Sequence, residues 1–303
     1  MKICQWNIEN LFLLMDQYEG EDLNTISNKD WQSLSLGNTT PNKHIQKIED
    51  AAKVIRDINA DIFLLCEVGG PESLKNFNSY FLNNEYEVIA FEGTSRRSLD
   101  VGFLIKKDIS NNITSIDNKN LKLSDHSYFS RSLGEIHLKK GGNLKAIFLL
   151  THLKSKLTAE GDFQGLSKRA LEIKGLNKHI KSLQKKFNDP KIILAGDLNS
   201  DLEDLRLMKL MALDNFLDLK SASTEEKCTH IYFGSSIAYH QFDYIFTTKN
   251  LRAFIELGHS YVYRFKNDYG DVLELPKILS EKFQHPSDHY PVVLQLKNDL
   301  ITE

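Results

Sequence analysis

The 303-residue sequence lacks the features of a membrane or secreted protein. Its uncharged apolar runs, such as AIFLL at 146 to 150, are far shorter than the about 20 residues that a membrane helix needs. The N-terminal residues show no apolar signal core followed by a small-residue cleavage site. These absences predict a cytoplasmic protein, although a secreted precursor whose leader has been removed stays open.

Cysteine is scarce, and the excess of charge is small. Cys4, Cys66 and Cys228 form no CxxC pair and are odd in number, which argues against a disulfide framework or a zinc site. The net charge of -3 excludes a globally basic nucleic-acid binder but leaves local patches open. Residues 151 to 191 form one such patch, with ten Lys and Arg against four Asp and Glu.

The chain has no stretch rich in Pro, Gly or Ser that would act as a disordered linker. Its length is compatible with one large domain or two small ones. No internal repeat or composition shift marks a boundary. We therefore expect a single domain over residues 1 to 303.

The order of predicted elements is that of an α/β protein. KICQWNI reads as a strand, apolar residues from Ile45 to Ile58 follow at helical spacing, and DIFLLCEV reads as a second buried strand. Short strand candidates and a hairpin turn at 139 to 143 make the middle mostly antiparallel. An amphipathic helix with a basic outer face is predicted from about 164 to 187, and a short helix near 202 to 213. The loops 16 to 43 and 266 to 285 match no pattern.

Polar residues stand where the apolar runs stop. Four strand candidates deliver polar groups at their carboxyl ends, namely Asn7, Glu67, His152, and Asp197 with Asn199. Two later strand candidates begin beside Asp243 and beside the pair Asp288 and His289. Ligands of α/β sheets collect at the carboxyl ends of the strands, and an antiparallel neighbour brings its first residue to the same edge. We expect one site to hold all of these side chains.

Carboxylates crowded at one edge raise each other's pKa unless a cation neutralises them. The candidate ligands are oxygen atoms of Glu, Asp and Asn, without thiolates and without an HExxH pair, which favours Mg²⁺ over Zn²⁺. Mn²⁺ is the alternative ion. Mg²⁺ shares its coordination shell with substrate phosphate, so the pattern indicates phosphate chemistry. His289, with Asp243 to orient it, is the candidate base.

An ordered set of motifs runs along nearly the whole chain: WNIENLF, CEV, THLKSK, GDLNS, FDYIF and SDHYPV. The set resembles the endonuclease/exonuclease/phosphatase superfamily, which has the deoxyribonuclease-I-like fold. The resemblance implies a four-layer α/β/β/α sandwich, in which two mixed sheets pack face to face with helices outside. It also implies that Glu67 is the main Mg²⁺ ligand, supported by Asn7 and Asp288.

The same resemblance implies catalytic roles for five residues. Asp197 and Asn199 position the attacking water and the phosphate, and His289, oriented by Asp243, acts as base or phosphate ligand. His152 matches a histidine that stabilises the phosphate or protonates the leaving group in some branches.

Three further segments, TSRRSLDVGFLIKK, FSRSL and THLKSK, look closest to bacterial nuclease-like members. In those members, basic residues of these segments hold the substrate backbone. The candidates in this chain are Arg96, Arg131, Lys154 and Arg169.

The sequence therefore predicts a Mg²⁺-dependent phosphodiester hydrolase, a nuclease that cleaves DNA, with nucleic acid as its substrate and no obligate protein partner. A phosphatase or phospholipase-type hydrolase of small or lipid phosphate esters is the alternative. A non-catalytic binding module of the same fold is a second alternative, although the presence of Glu67, Asp197 and His289 argues against it.

Overall fold

The computed structural model describes residues 1–15, 18, 23, 26–36, 40–93, 99–124, 127–156, 162–207 and 213–297, with the backbone alone at 205–207. Its strands are β1 Lys2–Leu11, β2 Ile62–Val68, β3 Tyr86–Phe91, β4 Asp100–Lys106, β5 Ile113–Ile116, β6 Lys122–Ser124, β7 Ser127–Tyr128, β8 Gly134–Lys140, β9 Asn143–His152, β10 Ile192–Asp197, β11 Asp214–Asn215, β12 His230–Phe233, β13 Ile237–His240, β14 Asp243–Thr247, β15 Tyr261–Val262 and β16 Val292–Gln295. Its α-helices are α1 Asn28–Ser33, α2 Ile45–Ile58, α3 Gly70–Phe81, α4 Lys107–Ser110, α5 Leu166–Phe187, α6 Leu202–Leu207, α7 Phe216–Leu219, α8 Thr224–Lys227 and α9 Leu279–Gln284.

Two six-stranded mixed sheets form the framework. The strand order is β15-β16-β1-β2-β4-β3 in the first sheet and β11-β14-β10-β9-β8-β5 in the second. Among the described strands, only the central pairs β1 with β2 and β9 with β10 are parallel, and their neighbours run antiparallel. In each sheet a helix lies between the two parallel strands in the chain, α2 in the first and α5 in the second, as a parallel connection requires.

Residues of β9 alternate between two hydrophobic cores. Phe148 and Leu150 point into the core between the two sheets, whereas Ile147 and Leu149 point into a second core beneath α5. This period of two shows that both faces of the second sheet are covered.

The helices form the two outer layers. In α2, apolar residues at helical spacing such as Ile48, Ile55 and Ile58 are buried in the core of the first sheet. In α5, Ile173, Leu176 and other residues of one stripe cover the second sheet. The expected four-layer α/β/β/α sandwich is confirmed.

The predicted elements hold with three corrections. The unassigned loop 16 to 43 contains the short helix α1, and α3 was not predicted. Among the short strand candidates in the middle of the chain, FSRSLGEIHLK forms a strand only from Gly134, as β8. Part of the predicted helix near 202 to 213 is α6, and residues 208–212 lie outside the described part of the chain. Within the described residues, no helix has the length and apolar composition to cross a bilayer.

A buried carboxylate ties α5 to the second sheet. Glu135 is 1% exposed, and its oxygens lie 2.6 Å from His137 Nε2 and 2.7 Å from His179 Nε2. Burial alone would raise the pKa of Glu135, but hydrogen bonds from His137, His179 and Asn118 outweigh it and lower the pKa to about 2. The ionised carboxylate therefore stabilises the folded chain at neutral pH.

This contribution should depend on pH. Because the folded pKa of Glu135 lies below its ordinary value of 4.5, the stabilisation is present above pH 4.5 and is lost as the pH falls toward 2. We expect it to reach about 3 kcal/mol. Chemical unfolding of wild type and Glu135→Gln should show a large difference in free energy at pH 6 and a small one at pH 3. An equal difference at both pH values would contradict the assignment.

Candidate active site

The ends of β1 and β2 are irregular where they approach the predicted site. The register slips between Asn7 and Leu11 in β1 and between Cys66 and Val68 in β2. Glu67 has a positive φ of 62°, which costs about 1–3 kcal/mol for a non-glycine residue and is characteristic of functional sites.

The irregular end of β1 binds two site side chains through its backbone. Glu9 and Asn10 both have positive φ, 53° and 50°. Their N–H groups therefore turn inward: that of Glu9 donates to Asn7 Oδ1 at 3.0 Å, and that of Asn10 donates to Glu67 Oε2 at 3.1 Å. Asn7 is thus not the last residue of its strand, as the sequence suggested, but the start of this distortion.

Parallel strands β9 and β10 bring His152 and Asp197 side by side, as partners in register. Gly196, next to Asp197, has φ +148°, and a Cβ there would lie 1.7 Å from the Thr151 carbonyl oxygen. Only glycine allows this approach of the strands. Asn199 also has a positive φ, and its N–H donates to Asp197 Oδ1 at 2.9 Å.

His289 is held by neighbours on both sheets. Its Nδ1 lies 2.6 Å from Asp243 Oδ2, and the other oxygen of Asp243 accepts from the Gln5 side chain at 2.9 Å. Its carbonyl accepts from Trp6 Nε1 at 2.9 Å. The ring is therefore fixed with Nε2 facing the cleft.

Five predicted residues meet at the shared edge of the two sheets. His152 Nε2 lies 3.4 Å from Asp197 Oδ2 and 3.9 Å from Glu67 Oε1. His289 Nε2 lies 4.0 Å from the same Asp197 oxygen, which also accepts from Asn7 Nδ2 at 3.0 Å. Side chains far apart in the sequence thus form one compact group.

Burial controls the charges of this group. Asp197 is 2% exposed, and desolvation raises its pKa to about 7 although the neighbouring His289 acts in the opposite direction. For His289, burial lowers the pKa, but the carboxylates of Asp243, Asp288 and Asp197 together hold it well above its usual value. The imidazole is therefore a cation near neutral pH.

The family model described as Endonuclease/Exonuclease/phosphatase family matches residues 2–269. The chain belongs to this family. Members of the endonuclease/exonuclease/phosphatase family are hydrolases that act on phosphoester bonds. Among curated proteins, none matches this chain.

Solved structures share the fold of this chain, although their sequence identity to it is low. Truncated Caenorhabditis elegans TDP2 aligns with a TM-score of 0.63 and 15% identity, covering 98% of this chain and 97% of that one. D. rerio TDP2 complexed with single strand DNA product aligns with 0.61 and 13%, covering 98% and 99%. Bacteroides thetaiotaomicron mannosyl-6-phosphatase aligns with 0.56 and 15%, covering 98% and 99%.

The family is in general dependent on divalent metal ions, and the residues present suit such an ion. The Asn10 N–H donates to Glu67 Oε2, and the Glu67 side chain is 17% exposed at the cleft. Two groups of described residues place ligand atoms within 4.8 Å of one another, His230 with Asp288 and His289, and Asp197 with Asp243 and His289. Neither group contains Glu67. A single carboxylate with few protein partners is nevertheless what Mg²⁺ prefers.

Asp288 lies at the mouth of the cleft beside Lys282, His230 and His289. Its oxygens lie 3.5 Å from Lys282 Nζ, 3.6 Å from His230 Nε2 and 3.8 Å from His289 Nε2. Burial acts to raise its pKa, but His289, His230 and Lys282 hold the pKa far below its usual range. Asp288 is therefore ionised and available as an oxygen ligand.

Lys43 holds the distorted end of β1. Its side chain is 5% exposed, and Nζ donates to the carbonyls of Ile8 at 2.9 Å and Glu9 at 2.5 Å, with the Glu9 carboxylate 3.5 Å away. Burial lowers the pKa of Lys43 to about 8. The ammonium thus fixes the turn whose N–H groups bind Asn7 and Glu67.

Replacing Lys43 with methionine should weaken binding of Mg²⁺ by about 10–100-fold, because supporting partners of metal ligands typically contribute that much. Calorimetric titration with Mg²⁺ measures the effect. Lys43→Arg, which keeps donors, should recover part of the affinity. An unchanged dissociation constant in a folded Lys43→Met variant would contradict this role.

Stacked rings beside His289 were missed by the sequence reasoning. His230 lies 4.8 Å from His289 between ring centroids, and Phe242 stacks between His230 at 5.3 Å and His240 at 4.7 Å. Lys156 lies 4.6 Å above the Phe242 ring. The hairpin of β12 and β13 places His230 opposite His240, and the Gly-Ser-Ser turn at 234–236 is the sequence signal that could have indicated it.

The four predicted substrate-binding residues have different positions. Arg169 and Arg131 are only 1% and 6% exposed. Arg169 Nη1 donates to the carbonyls of Lys154 and Gln164, and Arg131 Nη1 donates to that of Leu153. Both arginines thus brace the loop after His152 rather than face the solvent.

Lys154 is half-buried next to that loop and donates to Ser155. Arg96 lies outside the described residues.

Proposed function

We propose that the chain is a Mg²⁺-dependent phosphodiester hydrolase that cleaves DNA. The observation that carries the proposal is the group formed by Glu67, His152, Asp197 and His289, with successive side chains 3.4 to 4.0 Å apart at one sheet edge. Such a cluster of carboxylates and imidazoles supplies a cation ligand, a base and donors for a phosphate.

Glu67, with Asn7 and Asp288, would hold the divalent cation. When bound, the cation polarises a phosphoryl oxygen and stabilises the charge that develops in the transition state. Mn²⁺ has the same preference for oxygen ligands and is expected to substitute.

Different protein side chains then accept and donate the protons of the reaction. Asp197, oriented by the Asn7 amide and the Asn199 N–H, accepts a proton from water as the water oxygen bonds to phosphorus. His289, fixed by Asp243, donates a hydrogen bond to a phosphate oxygen. The bond from phosphorus to the leaving oxygen breaks, and His152 supplies the proton to that oxygen.

Two observations support nucleic acid as the substrate. The D. rerio TDP2 structure, which shares the fold over 98% of this chain, holds a single strand DNA product. The local excess of Lys and Arg in residues 151 to 191 favours association with a polyanion. The Bacteroides neighbour is a phosphatase, so a sugar phosphate belongs in the same test.

A panel of phosphate esters tests the proposal, with and without Mg²⁺ and with Glu67→Gln as the blank. It should contain single-stranded DNA, duplex DNA, RNA, mannose 6-phosphate and sphingomyelin. We expect turnover of DNA that requires Mg²⁺ and disappears in the blank. Turnover confined to the sugar phosphate or the lipid would replace the nuclease with the phosphatase or phospholipase alternative. No turnover and no Mg²⁺ binding would leave the non-catalytic module.

A further inference from the structure

The outer face of α5 carries a single row of lysines. Lys174, Lys178, Lys181 and Lys185, which we call the lysine stripe, are exposed and follow one another at intervals of four, three and four residues. At 1.5 Å per residue the stripe extends over about 16 Å. It lies opposite the buried face of Ile173, Leu176, Ile180 and Leu183.

The stripe has no negative charges to neutralise it. The one acidic residue of α5, Glu172, is buried and accepts the N–H groups of Ser130 and Lys154. Within the described residues the four lysines form no ion pair, whereas Lys53 of α2 pairs with Asp50. Like charges at these spacings destabilise a helix. A bound polyanion would reverse this repulsion.

The start of α5 contacts the loop that follows His152, and the stripe runs along the helix away from that end. At the start of α5, Arg169 donates to the Lys154 carbonyl, two residues after His152. At its end, Phe187 lines a groove together with Lys145 of β9, Lys191 before β10 and one acidic residue, Asp189. A chain held in the site therefore has a cationic path along α5 toward further lysines.

The chemistry of this face favours nucleic acid over a membrane. Lipid-binding helices combine basic residues with exposed large apolar ones. Among the described side chains of α5, the exposed large hydrophobic residue is Leu166 at the first position, and none lies between the lysines of the stripe. At about 3.4 Å per nucleotide, 16 Å corresponds to about five phosphates of one strand.

We propose that the lysine stripe binds the phosphate backbone of a nucleic-acid chain while that chain occupies the active site. This inference rests on the proposed nuclease function and extends it to a second contact region, which holds long substrates but not short ones. Each lysine that neutralises a phosphate of a single strand contributes about 0.7 to the slope of log K against log salt.

The test compares wild type with the quadruple variant K174Q, K178Q, K181Q, K185Q. A matched variant with the same charge change, K29Q, K75Q, K107Q, K297Q, alters exposed lysines outside α5. Fluorescence anisotropy with a labelled single-stranded DNA of 30 nucleotides gives the dissociation constant at several salt concentrations. Divalent ions are omitted so that the DNA is not cleaved. Turnover with Mg²⁺ is measured on that DNA and on one of four nucleotides.

For the stripe variant we expect at least a tenfold higher dissociation constant and a salt slope reduced by up to about 3, while turnover of the four-nucleotide DNA stays at the wild-type level. The matched variant should bind like wild type. Equal weakening in both variants, or in neither, would overturn the stripe. Vesicles containing phosphatidylserine that bind wild type but not the stripe variant, with DNA binding unchanged, would also overturn it in favour of a membrane contact.

The two proposals fail in different ways. If wild type cleaves DNA but the stripe variant binds it normally, only the stripe is wrong. If wild type hydrolyses none of the nucleic acids in the substrate panel, the nuclease function is wrong. Thermal unfolding checks that the variants are folded, and the double variant K174Q, K181Q takes the place of the quadruple one if the latter does not fold.

Discussion

Replacing Asp197 with asparagine should reduce turnover of the hydrolysed phosphodiester by about 10²- to 10⁴-fold, the range that a positioned general base contributes. The amide has the shape of the carboxylate but cannot take a proton from water. Because desolvation raises the pKa of the buried Asp197 to about 7, its charged form adds no stability to the fold, and the loss in thermal stability should be small. Steady-state kinetics give kcat, and thermal unfolding tests the fold.

The matched control for this substitution is Asp201→Asn. Asp201 lies in the same loop region after β10, where it pairs with His240 Nδ1 at 3.0 Å, but its side chain is 40% exposed. It should change kcat by less than tenfold. If Asp197→Asn kept wild-type kcat, the role of the carboxylate as base would be wrong.

Removing divalent ions with a chelator should abolish turnover, and Mg²⁺ or Mn²⁺ should restore it. The ion is expected to contribute several kcal/mol of transition-state stabilisation, so the loss should be about 10³-fold or more. Glu67→Gln should produce a similar loss because the amide oxygen is a weaker ligand than the carboxylate. Calorimetry should show that this variant no longer binds Mg²⁺ at concentrations that saturate wild type.

Glu87→Gln is the control for the metal site, since Glu87 is exposed on β3 and belongs to no site group. It should bind Mg²⁺ like wild type. If Glu67→Gln still bound Mg²⁺, Glu67 would not be the main ligand. The group formed by His230, Asp288 and His289 would then be the next candidate site.

The architecture was predictable because its signals are local or periodic. The alternation of Ile147, Phe148 and Leu149 between two cores follows from the period of a strand, and the apolar stripe of α5 follows from the period of a helix. The positions of His152 and Asp197 at the ends of neighbouring parallel strands follow from the same pattern. These regularities bring catalytic candidates to one edge without any knowledge of atomic contacts.

Features that depend on conformation rather than period were not predictable. No pattern in the sequence shows that Glu9, Asn10 and Glu67 adopt positive φ, or that a buried Lys43 holds them. The arginines illustrate the same limit. Their positions in the sequence motifs suggested substrate contact, yet Arg131 and Arg169 donate to backbone carbonyls. A guanidinium can donate to a substrate phosphate or to a backbone carbonyl, and the fold determines which of the two it contacts.

The candidate site is divided between the two sheets. Asn7 and Glu67 come from the first sheet and His152 and Asp197 from the second, so the packing of the interior and a few hydrogen bonds, such as Asn7 to Asp197, keep the halves aligned. A small slip between the layers would separate the reacting groups while every strand and helix remained intact. Enzymatic rate should therefore respond to damage in the interior earlier than circular dichroism does.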